Sequence, residues 1–296
     1  MTAIAPTPSP EVNAVLVELV AQWREILGSN LIGAYLQGSF AVGDFTETSD
    51  IDFLVVIASE PEAPVLARLQ AMHAGIHRKP SYWAKHLEGS YAVAAVIRRL
   101  TDEPRDPAGE PPRLPSWRDP GTGLPPRYYP FLFLNNGSDT LARSEHDNSR
   151  VVRWVARERG IILHGPPPAE LIDRITGDEL RAEMRANLLL YLQPYAAGQR
   201  VIDAIWLQSF FVTLICRMLH TLDTGQIHSK KAGTEWALQA LDPQWHGLIR
   251  RAAATWSKQQ ELWMNRPEAA EVEATLEFMR YALNRCATGP TSGHSG

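Results

Sequence analysis

Asp50 and Asp52 stand two residues apart at the head of an apolar run, DIDFLVVI, that ends at Ile57. In a β-strand, side chains alternate between faces, so both carboxylates project to one side while Ile51 and Phe53 point to the other. Like charges held that close are costly unless a cation lies between them. A pair of hard oxygen ligands suits Mg2+, which takes one or two protein carboxylates and completes its octahedron with water and phosphate oxygens. Upstream, Gly38-Ser39 closes an apolar strand, Leu31 to Leu36, and opens a helical turn at Phe40 to Val42. Glycine lets backbone come close to a ligand, and amides that open a helical turn point at phosphate oxygens. A lone D-x-D at a strand mouth is usually a solvated strand end. With the Gly-Ser turn at this distance, a metal-nucleotide site is expected.

A second group of residues lies far along the chain, in CRMLHTLDTGQIHSKKAGTEWAL. Arg217 sits on a long apolar helix ending at Gly225, and Ser229 is placed to cap the next helix, leaving Lys230 in its first turn. A cation there opposes the helix dipole, which is tolerable when an anion such as a triphosphate binds beside it. The alternative is a solvated Lys230-Lys231 pair.

The elements that position these groups divide by pattern. Glu11 to Gly28 repeats apolar residues at helical spacing, with Pro10 at its start. Strands are expected at Leu31 to Leu36, Asp50 to Ile57, His86 to Tyr91, Phe131 to Leu134 and Ile161 to Leu163, with helices at Pro61 to Ala74 and His146 to Gly160. Glu88 falls on the strand expected beside Asp50 and Asp52, as a third acid. Asn135-Asn136-Gly137 is a turn signal. Residues 104–130 are dense in proline and glycine and read as a loop insertion. Its aromatics Trp117, Tyr128 and Tyr129 either contact substrate or pin the loop. After the Pro166-Pro167-Pro168 stop, strand alternation disappears. Helices are expected at Asp178 to Leu192, Val201 to Leu222, Ser229 to Leu241, Pro243 to Trp263 and Glu268 to Cys286, as a bundle.

Composition narrows the class. A net charge of −4 provides no basic field, so nucleic acid is not expected as a partner, and a small cationic substrate suits the balance better. Cys216 and Cys286 are too few for a disulfide framework and lack metal-ligand spacing, which fits a cytoplasmic protein. The first ten residues lack the charged and apolar regions of a signal peptide. Val201 to Leu222 is interrupted by Asp203, Gln208 and Arg217, so no membrane span is expected.

The order G-S, G-D (Gly43, Asp44), then S-D-I-D ahead of an apolar strand resembles the nucleotidyltransferase superfamily of the polymerase β type. Together with C-R-x-L-x-T-L-x-T-G-x-x-x-S-K-x-A-G-x-x-W, from Cys216 to Trp236, the chain resembles the aminoglycoside adenylyltransferases that modify streptomycin and spectinomycin. That resemblance implies an α+β fold: an amino-terminal nucleotidyltransferase domain with a mixed sheet, residues 11–168, then a carboxy-terminal helical bundle, residues 169–287. Residues 1–10 and 288–296 are expected to be a disordered lead-in and tail.

The resemblance further implies transfer of AMP from ATP, with Gly38 and Ser39 holding the triphosphate and Asp50, Asp52 and Glu88 as carboxylates at Mg2+. Glu88 would also be the catalytic base, and Arg217 and Lys230 would bind phosphates. Asp203 and Trp206 would face a cationic, hydroxyl-bearing drug. Where the family pattern has a second acid one turn after Asp203, this chain has Leu207. A monomer is expected. Two alternatives remain: a nucleotidyltransferase that modifies a protein or other non-drug hydroxyl, and a catalytically silent nucleotide-binding relative.

Overall fold

The computed structural model describes residues 5–100, 129–256 and 264–287. Expectations for residues 1–4, for most of the Pro-rich insertion including Trp117 and Tyr128, for 257–263 and for the tail lie outside the described residues. The chain divides into two compact units, Met1–Ile175 and Thr176–Gly296.

In the first unit, α1 (Pro10–Leu27) starts at a Ser9 cap with proline in its first turn and stops at Gly28. Part of the lead-in is held to this helix: Thr7 is buried and its hydroxyl bonds Asn13 Oδ1 at 2.8 Å. Among the described residues, six strands form one sheet: β1 (Leu31–Leu36), β2 (Ile51–Ile57), β3 (Leu87–Val93), β4 (Phe131–Leu134), β5 (Leu141–Ser144) and β6 (Ile161–His164), in the order β5-β4-β3-β2-β1-β6. The sheet is mixed, because β2 and β3 run parallel while the other neighbours are antiparallel.

Short helices α2 (Gly38–Val42), α4 (Tyr82–Lys85), α5 (Ala94–Ile97) and α7 (Pro168–Leu171), with the longer α3 (Ala63–His77) and α6 (Arg150–Arg159), fill the connections. One face of the sheet, including Leu36, Ile51, Phe53, Val55 and Val93, packs against Val12, Leu16, Leu19 and Trp23 of α1 and Leu69, Met72 and Ile76 of α3. Strand alternation therefore sends Asp52 and Glu88 to the opposite face.

Two departures from the sequence reading have local causes, and one open alternative is decided. β5 was not expected; the Asn135-Asn136-Gly137 turn makes it the return strand of a hairpin with β4. The helix expected from His146 begins at Arg150, because Ser149 caps it by accepting from the Val152 amide at 3.1 Å. Tyr129, at the end of the insertion, is a pin: it is buried and its hydroxyl donates to Glu60 at 2.7 Å, while Arg143 grips the same carboxylate at 2.7 and 2.9 Å.

The second unit is helical: α8 (Gly177–Ala196), α9 (Ile205–Thr224), α10 (Lys230–Ala240), α11 (His246–Trp256) and α12 (Ala269–Ala287). A capping box between Thr176 and Glu179 starts α8. Arg181 on α8 donates from Nε to the Leu222 carbonyl at the end of α9. By length and composition α9 could cross a membrane, but it packs against α8, α10, α11 and α12 as the bundle's central helix. Its start differs from the expected Val201: Ala204 is extended and the Ile205 amide bonds the Asn265 carbonyl at 2.9 Å, so Asp203 precedes the helix.

Candidate active site

β2 and β3 share one burial pattern, in which only the second residue of each strand is partly open. Those residues are Asp52 and Glu88, and the parallel register pairs them directly. Adjacent strands lie roughly 4.8 Å apart, so the two acids stand side by side at the strand mouths. Asp50 lies one residue ahead of β2, near enough to Tyr82 that its charge, after burial, helps raise the phenol's pKa.

Gly38 closes the site from below. Its φ is +61°, and a Cβ placed there would lie 1.8 Å from Asp52 Oδ2. The Asp52 carboxylate is thus seated on the glycine that precedes Ser39, and the Gln37 amide donates to the Asp52 carbonyl at 2.8 Å. Phe40, stacked on Phe45 at 4.6 Å and meeting Trp83 edge-on, holds the turn to the core. Ser39 Oγ is buried and has no hydrogen-bond partner among the described residues, an arrangement that costs free energy unless a ligand completes it.

The donor set fits Mg2+ with a phosphate ligand. No group of three or more His, Cys, Asp or Glu side chains with the makings of a metal site occurs among the described residues. A carboxylate pair is nonetheless sufficient, because Mg2+ draws its remaining ligands from water and substrate phosphates. The orphan hydroxyl of Ser39 and the glycine cradle suit such a phosphate.

Glu88 has protein partners of its own. The Asn136 amide donates to Oε2 at 3.2 Å, and His146 Nε2 lies 3.3 Å from Oε1. Contact with the Glu88 carboxylate lifts the pKa of the exposed His146 from 6.5 to about 9, against partial desolvation and with help from the charges of Asp147 and Asp52. Asp147, next in sequence, is buried; burial pushes its pKa up, while His146 and the Ser90 hydroxyl, at 2.8 Å, pull it down. Sequence reasoning missed His146 because it placed the residue on a helix. The available signal was Ser149, a capping residue three positions further on.

In the helical unit, Ser149's counterpart is Ser229, whose hydroxyl accepts from the Ala232 amide at 3.1 Å and leaves Lys230, half-buried, as the first residue of α10. Arg217 donates from Nε to the His228 carbonyl at 3.1 Å. Its stem runs against Gly233, where a Cβ would meet Arg217 Cγ at 2.8 Å and Cα at 3.0 Å. His228, His220 and Trp236 stack in sequence, with ring centroids 3.6 and 5.1 Å apart, and brace the loop between the helices. Asp203 is exposed ahead of α9, and Trp206 is exposed in its first turn. From Trp206 to Arg217 the helix makes three turns plus about 20°, so both lie on one stripe roughly 16 Å apart. Phe210, in ring contact with Trp206, lies between them.

A mixed sheet with a Gly-Ser turn seated under a carboxylate strand defines a nucleotidyltransferase, and the family model for a nucleotidyltransferase domain matches residues 18–92. Residues 171–282 match the C-terminal domain of aminoglycoside adenylyltransferases. Together the two matches run through both units of the chain, a nucleotidyltransferase domain followed by the C-terminal domain of aminoglycoside adenylyltransferases.

The chain is similar to the aminoglycoside (3'') (9) adenylyltransferase of Shigella flexneri, 23% identical over 90% of this chain and 95% of the relative. It is also similar to the spectinomycin 9-adenylyltransferase of Staphylococcus aureus, 23% identical over 74% of this chain and 75% of that protein. Its fold matches the crystal structure of spectinomycin adenyltransferase AAD(9) from Enterococcus faecialis with ATP and spectinomycin, with a TM-score of 0.57 and 17% identity, over 92% of this chain and 99% of that one.

Proposed function

We propose that this chain transfers AMP from ATP to a hydroxyl of an aminocyclitol or aminoglycoside, with spectinomycin and streptomycin as first candidates. The observation that carries the reading is the seating of Asp52 on Gly38, beside the orphan Ser39 hydroxyl and in register with Glu88. In this reading Gly38 and Ser39 hold the triphosphate, and Asp50 and Asp52 hold Mg2+. Bound there, the ion supplies charge stabilisation to the phosphate oxygens.

Glu88 accepts the proton of the acceptor hydroxyl as its oxygen attacks the α-phosphorus and the bond to the β-phosphate oxygen breaks, releasing pyrophosphate. Each Glu88 oxygen has one protein partner, Asn136 or His146, and keeps a lone pair, so Glu88 acts as the base and stands as a third carboxylate for the ion. Arg217 and Lys230 place positive charge on the leaving phosphates. Asp203 and Trp206 meet the cationic acceptor; with Leu207 where a second acid is usual, one charge-assisted contact is lost, on the order of 1.5–3 kcal/mol. That loss weighs against the more highly charged acceptors. A monomer free in the cytoplasm belongs to the same proposal, and the unpaired thiols of Cys216 and Cys286 suit a reducing compartment.

The test is AMP transfer from labelled ATP to a panel of aminocyclitols and aminoglycosides, with and without Mg2+, in the wild type and in Asp52→Asn. Labelled spectinomycin or streptomycin, dependent on Mg2+ and lost in a folded Asp52→Asn, is the expected result. Label on protein alone, or full activity in the variant, would refute the reading.

A further inference from the structure

We propose that His146 is the positioning residue for Glu88, holding its carboxylate in the orientation in which it takes the acceptor's proton. The proposal rests on the reading of Glu88 as base.

The geometry is that of a built clamp. The two Glu88 oxygens have different partners, Oε2 the Asn136 amide at 3.2 Å and Oε1 the His146 Nε2 at 3.3 Å. A carboxylate on a flexible stem rotates freely at its last torsion; two donors on different oxygens fix that rotation and leave lone pairs for the hydroxyl.

Both donors are themselves fixed. Asn136 sits in the β4–β5 turn, and its side-chain oxygen bonds His86 Nδ1 at 3.0 Å. His146 lies over the Phe133 ring, with centroids 4.9 Å apart. The two residues after it anchor its loop: the buried Asp147 accepts from Ser90, which lies two positions beyond Glu88 on β3, and Asn148 donates to the Tyr129 carbonyl at 2.8 Å. The strand that presents the base therefore also holds the loop that orients it. The Glu88 side chain is only 20% exposed while that of His146 is 59% exposed, so the pair's own contribution to stability is small and the anchoring serves orientation.

The test is a double-mutant cycle on the full-length chain, with kcat, the KM for ATP, ATP affinity by calorimetry and thermal melting. His146→Ala should lower kcat by about ten- to a hundredfold. ATP affinity, the KM for ATP and the melting temperature should stay close to wild type. His146→Gln, whose amide can donate to the same oxygen, should recover part of the loss. In a Glu88→Gln background, His146→Ala should cost nothing further, because a residue acting through Glu88 has nothing left to orient.

An unchanged kcat in His146→Ala overturns the role, as does a loss of equal size in both backgrounds or one that falls on the KM for ATP. If Glu88→Gln itself transfers at the wild-type rate, the base assignment fails and takes the proposal with it. An inactive Glu88→Gln beside a fully active His146→Ala removes only the positioning.

Discussion

Gly38 and Asp52 leave no room between them, and that contact links the turn to the carboxylate strand. A methyl group at Gly38 would overlap Asp52 Oδ2 and would have to adopt a φ of +61°, which costs a non-glycine residue about 1–2 kcal/mol. Gly38→Ala should therefore lose stability of about that size, and the displaced Asp52 should cost transfer activity far more than the stability loss explains. Chemical denaturation together with the transfer assay checks both; wild-type activity would mean that the contact has no part in the site. A different residue-scale effect comes from His73, which is buried in the core and bonds the Tyr91 hydroxyl at 2.6 Å. Burial lowers its pKa to about 3. Between that value and the unfolded value near 6.5, the unfolded chain binds a proton that the native chain refuses, so stability rises with pH across this window and the gain is complete above it. The slope is about 1.4 kcal/mol per pH unit for one proton. His73→Gln should flatten the acid side of the stability profile measured by urea unfolding between pH 4 and pH 6.5, by roughly that slope; an unchanged profile would remove His73 from the acid response.

At the scale of elements, α9 and α10 meet at Gly233, and the missing side chain is what lets Arg217 lie along the interface. Gly233→Val would drive a branched side chain into the Arg217 backbone and stem. Overpacking of this kind costs about 1–3 kcal/mol, more than the few tenths gained by removing a helical glycine. The variant should melt lower and show a higher KM for ATP, with kcat less affected; an unchanged KM would detach Arg217 from nucleotide binding. This element pair also shows what the sequence makes legible. Ser229, Lys230 and Gly225 declared both helix ends, because caps are local chemistry written in single residues. Likewise, the strand of Asp52 could be drawn from its apolar run, whereas that of Glu88, expected at His86 to Tyr91, runs from Leu87 to Val93. Three features could not be read that way. Asp203 looks helical from the apolar residues around it, yet the bond from Ile205 to Asn265, sixty residues away, starts the helix later. β5 is an edge strand too short to carry an alternation. His146 reaches Glu88 only because a hairpin turn and a capped helix bring their loops to one strand end, a coincidence of tertiary structure.

At the scale of the molecule, each unit carries a complete core of its own. Trp23, Phe53, Tyr91 and Ile57 lie at the centre of the first, and Leu180, Leu188, Val212, Ile215, Leu219 and Phe278 are buried in the second. Both are large enough, at more than about a hundred residues, to fold on buried apolar area alone. The residues proposed for the chemistry, however, come from both: Gly38, Ser39, Asp50, Asp52 and Glu88 belong to the first unit, and Arg217, Lys230, Asp203 and Trp206 to the second. A chain built this way should come apart without unfolding. Residues 5–175 and residues 176–287, expressed separately, should each give a cooperative thermal transition, the second with a helical circular dichroism spectrum. Neither fragment alone should transfer AMP, since the first lacks the cations assigned to the leaving phosphates and the second lacks the base and the carboxylate pair. Transfer by the first fragment at the full-length rate would show that Arg217 and Lys230 are dispensable. A fragment without a cooperative melt would show that its core is completed by the other unit, and the division of labour would then be one of sequence and not of folding.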